Sequence, residues 1–131
     1  MGALRTYIAA LAALTATHAV ALPNSPEDRA RAFADCAGRY SAVAEHARLF
    51  DGDAAEEAEA HRNLFITLLE ATLPDIDTST RTSLNWRIDS KAAHAALLST
   101  AAFTLDAKRA QFARDAAKRH IAVCSALILP V

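Results

Sequence analysis

The chain has 131 residues with 14 basic and 15 acidic side chains, a net charge of −1, and 53% hydrophobic residues. That length suits one domain and excludes an array of several. The near-neutral balance, with no continuous basic stripe interleaved with aromatics, disfavours nucleic acid as a partner.

Residues 1–21 read as a secretory signal peptide. Arg5 supplies the basic start, 7–15 the apolar core, and Ala19-Val20-Ala21 a small-x-small cleavage site. Thr15, Thr17 and His18 dilute the apolar run below the ~20 residues that a bilayer span needs, so cleavage is expected in preference to an uncleaved anchor. The later apolar run at 121–131 is too short to span. Residues 22–131 are therefore expected to form a single helical domain, periplasmic or secreted, with no membrane span in the mature form.

The first helix is expected over 26–51. Ser25 is its N-cap, Pro26 occupies the first helical position and Asp28 lies three residues after the cap. Phe33, Cys36, Ala37, Tyr40, Val43, Ala44, Ala47 and Phe50 give its apolar stripe at helical spacing. Gly52 suits the left-handed position that closes a helix. Asp53 with Glu56 repeats the capping pattern and opens a second helix, with Ala54, Ala58, His61, Phe65, Leu68 and Thr72 on its inner face, stopped by Pro74.

After a loop rich in Pro, Asp, Ser and Thr, a third helix is expected to bury Leu84, Ile88, Ala92, Ala95 and Leu98. No Gly or Pro marks its end. One helix over 79–129 would run ~75 Å, too long for a domain of this size, so a turn is required near 100–106. The fourth helix then presents Ala107, Ala110, Ala113, Ala117, Ile121, Cys124 and Ile128.

These elements predict an all-α fold, a small up-down four-helix bundle closed by one disulfide. Alanine favours helix and close approach, but each buried alanine removes little apolar area from water, so the core is thin. Cys36 and Cys124 are the only cysteines. In an oxidising compartment they are expected to join, and an up-down order makes the first and last helices neighbours. Closing that loop stabilises by ~4–5 kcal/mol on the chain-entropy model.

Charge is unevenly divided: residues 22–77 carry 12 acids and 5 bases, and 78–131 carry 3 acids and 8 bases. Mutual attraction of the two halves is expected in preference to a docking surface. Chemical signatures are sparse. Covalent haem attachment lacks C-x-x-C-H, and Met1 is the only methionine; no cofactor is expected. Bis-histidine haem ligation is the one haem mode left open.

Glu57 and His61, four apart, are the one weak candidate for a shared metal, with His46 or His94 completing it from a neighbouring helix. More simply, His61 caps a small core and His46, His94 and His120 are solvated. Ser41 and Ser90 lie in regular helix with no local His and acid, so no catalytic residue is assigned. Glu56-Glu57 and Asp75/Asp77 read as acids at a helix start and in a loop leading to one.

Two stretches are less bland. Cys36-Ala37-Gly38-Arg39-Tyr40-Ser41-Ala42, followed by Glu45-His46, places a glycine inside a helix, at roughly 1 kcal/mol relative to alanine. Arg87-Ile88-Asp89-Ser90-Lys91-Ala92, followed by Leu97-Leu98, sets two bases four apart, within reach of acids on the first two helices. Together they resemble small, exported, uncharacterised helical proteins of Gram-negative bacteria that pair an early Cys-x-Gly-Arg segment with a late cysteine. The resemblance implies export and a helical fold; it carries no activity or ligand.

At 100° per residue Gly38 lies nearly opposite the apolar stripe, amid Ala34, Ser41 and Ala42. This small-residue patch, flanked by Arg31 and Glu45, is the candidate interface for an unknown protein partner or a second copy. The rival is that Gly38 lets a neighbouring helix cross inside the bundle. The expected function is a non-enzymatic interaction or accessory protein of the periplasm. A small-ligand or metal carrier using histidines between helices is the alternative.

Overall fold

The computed structural model describes residues 22–128, so the signal-peptide reading falls outside the described residues. Four helices follow one another: α1 (Pro26–Ala47), α2 (Gly52–Thr72), α3 (Thr80–Phe103) and α4 (Ala107–Ile128), with a 3-10 turn at Leu73–Asp75. No strand occurs among the described residues. The Cys36–Cys124 disulfide is formed.

Short polar side chains define the helix starts. Ser25, Asp51 and Ser79 each accept the backbone N–H three residues on, from Asp28, Ala54 and Thr82. Asp106 accepts from the N–H groups of Lys108 and Arg109 and so fixes the turn expected between α3 and α4. The α1/α2 boundary differs from expectation. α1 ends at Ala47, Asp51 rather than Asp53 caps α2, and Gly52 is the first residue of that helix, with no positive φ. Phe50 thereby leaves the apolar stripe and is exposed.

α1 is the central helix. Against α2 it buries Phe33, Tyr40, Phe65 and Leu69; the Phe65 ring lies 6.3 Å from that of Phe33 and 5.8 Å from that of Tyr40. These are the largest apolar side chains of a core otherwise made of alanine and the disulfide. With full burial of such a side chain worth about 1.5–3 kcal/mol, the α1/α2 seam holds most of the hydrophobic stabilisation.

The opposite face of α1 packs on α3. The Arg31 guanidinium lies 5.2 Å from the Trp86 ring centroid, Ser90 donates to the Asp35 carbonyl at 2.8 Å, Lys91 pairs with Glu45, and Leu49 shares a cleft with Phe103. These contacts climb both helices together, so α1 and α3 run in the same direction. Here the expected helical wheel is misphased. Leu84 and Ile88 are 46% and 53% exposed, and α3 instead buries Ser83 and His94. α4 lies chiefly on α3, with Ala113, Ala116 and Ala117 buried, and reaches α1 through its second half. Cys124 is bonded to Cys36, Ser125 meets the Tyr40 hydroxyl at 3.1 Å, and Arg39 donates to the His120 carbonyl.

The divided charge is used sparingly. Of three ion pairs among the described residues, Lys91–Glu45 joins the basic half to the acidic half, while Arg31–Asp35 and Arg48–Glu59 lie within the acidic half.

Candidate functional site

The small-residue patch around Gly38 is not an outer surface. Ala34, Gly38 and Ala42 are buried, and a Cβ at Gly38 would meet the Lys91 nitrogen at 2.9 Å, the Ser90 Cβ at 3.0 Å and the Arg87 carbonyl oxygen closer still. The α3 backbone occupies the place assigned to a partner. Ser41 and Glu45 lie at the margin of this seam, Ser41 donating to Ala37 and Glu45 pairing with Lys91. The candidate interface is thus an internal helix crossing; small residues let two backbones approach where larger ones would hold them apart.

The other sequence candidates are dispersed. The His61 ring nitrogen is 3.1 Å from the Glu57 backbone carbonyl, and its ring stacks on Tyr40 at 4.9 Å, so the pair does not present imidazole and carboxylate to one metal. His46 lies against Phe50. Ser90 is spent on the Asp35 carbonyl. No group of three or more His, Cys, Asp or Glu suited to a metal occurs among the described residues.

The feature that stands out is His94. It occupies the α3 face toward α1 and α4, where it is 1% exposed, and neither ring nitrogen has a hydrogen-bond partner. Burial lowers its pKa to about 4, with smaller contributions from His120 and Arg39. At neutral pH the ring is therefore uncharged, with one N–H donor and one nitrogen acceptor, both idle. A buried polar group left in this state costs about 1–3 kcal/mol, so a leucine here is expected to leave the protein at least as stable.

Two recesses meet at this ring. On one side a cleft of about 350 Å³ opens between α1, α3 and α4, walled by Val43, Leu98, Ala101, Ala117 and Ile121 with Arg114 and Lys118 at its rim. On the other lies a polar recess of about 250 Å³ bordered by Arg31, Asp35, Arg39, Asp89, Ser90 and His120. The His94 and His120 ring centroids are 6.0 Å apart. The His120 pKa is also lowered, by burial, then Arg39, then Arg119. The Arg39 charge beside both imidazoles opposes their protonation.

Sequence reasoning grouped His94 with the solvated histidines. The one signal that could have separated it is its setting, Ala92-Ala93-His94-Ala95-Ala96, a lone polar ring in a run of alanines. No helix among the described residues is long and apolar enough to cross a membrane. No protein-family model matches the chain, and neither a curated protein nor a solved structure does so.

Proposed function

We propose that this chain is an exported, non-enzymatic carrier, an up-down bundle that holds one small organic molecule in the cleft between α1, α3 and α4. The observation that supports this reading is the buried, unpartnered imidazole of His94 at the inner end of an apolar cleft. The cleft has the composition of small-molecule sites, with mostly apolar walls and few polar groups, and lies at the small end of their ~300–1,000 Å³ range. Ala101→Trp fills the cleft from a partly exposed position on α3. A calorimetric screen of small organic compounds is expected to yield ligands of the wild type that this variant no longer binds. Ligands that bind both proteins equally, or no ligand at all, would refute the carrier reading.

A second reading, as a protein-interaction or accessory factor, is favoured by a separate feature. The α1/α2 and α3/α4 turns carry Leu49, Phe50, Phe103 and Leu105 on the surface, Leu105 completely exposed, where turns are ordinarily polar. Leu49 and Phe103 line one shallow cleft, so the two turns share an end of the molecule. Replacing all four with serine is expected to abolish any self-association seen by sedimentation while leaving the helical spectrum intact. Unchanged association would remove this surface from consideration.

A further inference from the structure

Resting on the reading of the His94 cleft as a ligand site, we propose that its guest is a monocarboxylic acid with an apolar body of medium length, its carboxylate held at the rim by Arg114 and Lys118. The walls supply the apolar half of the match: Val43 from α1, Leu98 and Ala101 from α3, Ala117 and Ile121 from α4. His94 and Ala101 are seven residues apart on α3, so the cleft extends about 10 Å along that helix, a length that suits an extended medium alkyl chain or a fused aromatic pair.

The charged half lies just outside: Arg114 and Lys118 border the cleft with their aliphatic stems, and their charged ends extend into solvent beyond it. Arg114 and Lys118 are four apart on α4, on one face of the helix. No carboxylate lines the cleft, and among the described residues neither cation is in an ion pair. Arg114 donates only to its neighbour Gln111, at 3.1 Å, while the nearby Asp115 carboxylate is taken up by the Gln111 amide. Two uncompensated cations at the mouth of an apolar cleft complement an anion carrying an apolar tail, and repel a cationic amphiphile. His94 closes the inner end with a buried ring.

The test compares decanoate with decanol by titration calorimetry, both kept below micelle-forming concentration, on the wild type, on Arg114→Gln/Lys118→Gln and on Ala101→Trp. The two rim cations are exposed, so the double variant is expected to keep the thermal midpoint. Ala101→Leu serves as the filled cleft should the tryptophan variant fail to fold. The expected result is one decanoate per chain, decanol on the order of tenfold weaker, loss of that difference in the double variant, and no binding to the filled cleft. Equal binding of decanol and decanoate, both abolished by filling the cleft, overturns the acid and leaves the carrier reading standing. Absence of binding by either compound overturns the acid and leaves the carrier reading to the wider compound screen, whereas binding that survives filling overturns both.

Discussion

Gly38→Ala sets two effects of similar size against each other, and the structure decides between them. In an isolated helix the change is favourable by about 0.8–1 kcal/mol, because alanine restricts the unfolded chain and suits the helix. In this protein the added Cβ would lie 2.9 Å from the Lys91 nitrogen, 3.0 Å from the Ser90 Cβ and nearer still to the Arg87 carbonyl oxygen. Two of those three atoms belong to backbone, so no rotamer change relieves the contact. α1 and α3 must separate by several tenths of an ångström or more, loosening the seam that Ser90 and Lys91 tie to α1. Overpacking of this kind costs about 1–3 kcal/mol, and two rigid backbone contacts put this case in the upper half of that range, so after the helix-propensity gain the net loss is expected near 1–2 kcal/mol. For a domain of about 100 residues that lowers the thermal midpoint by roughly 4–16 °C. Circular dichroism melts of the two proteins measure it. A midpoint that rises would mean that helix propensity outweighs the crossing, and that α3 does not lie where it is described.

The remaining predictions concern the disulfide and His94. Replacing Cys36 and Cys124 with alanine opens a loop of 88 residues, which on the chain-entropy model removes up to ~4–5 kcal/mol; the helical spectrum should persist with a lower midpoint, and an unchanged midpoint would contradict the assignment. His94→Leu removes two unpartnered buried nitrogens, so at pH 7 the variant is expected to be at least as stable as the wild type; a loss of several kcal/mol would mean that the ring has partners. The same variant isolates a pH effect. Because the folded pKa lies near 4 and the ordinary value is 6.5, the unfolded chain binds the extra proton between these limits. Stability from this group is full above pH 6.5, declines as the pH falls, and is lost by about pH 4, a total on the order of 3 kcal/mol. Urea midpoints at pH 7 and 4.5 should therefore fall further for the wild type than for His94→Leu, and equal falls would show that the imidazole is hydrated.

What could be read from the sequence followed from how loudly each feature speaks in side-chain chemistry. Ser25-Pro26 and the Phe33–Tyr40 stripe announce a capped, half-buried helix, and two cysteines in a chain of this size announce their pairing. The turn at 104–106 was reachable from length alone, although only Asp106 marks it. The α1/α3 seam was illegible for a physical reason. It is a contact between backbones through Gly38, Ala34 and Ser90, and such a contact carries no apolar stripe. The exposed Leu84 and Ile88 supplied a false stripe roughly 100° from the buried face, which turned the predicted α3, and the strong apolar stripe of α1 left its opposite face, with Gly38, to an outside partner. That same rotation concealed His94, because a helix phased on Leu84 places residue 94 near the surface.

The central claim is that the cleft beside His94 exists to hold a small molecule. Native mass spectrometry of the protein isolated from its own host without denaturation tests this most directly, with the Ala101→Trp variant prepared identically as the control. The account predicts that the wild type carries one small organic adduct, released as a free acid on denaturation, and that the variant flies bare. Bare masses for both proteins, or the same adduct on both, would contradict it.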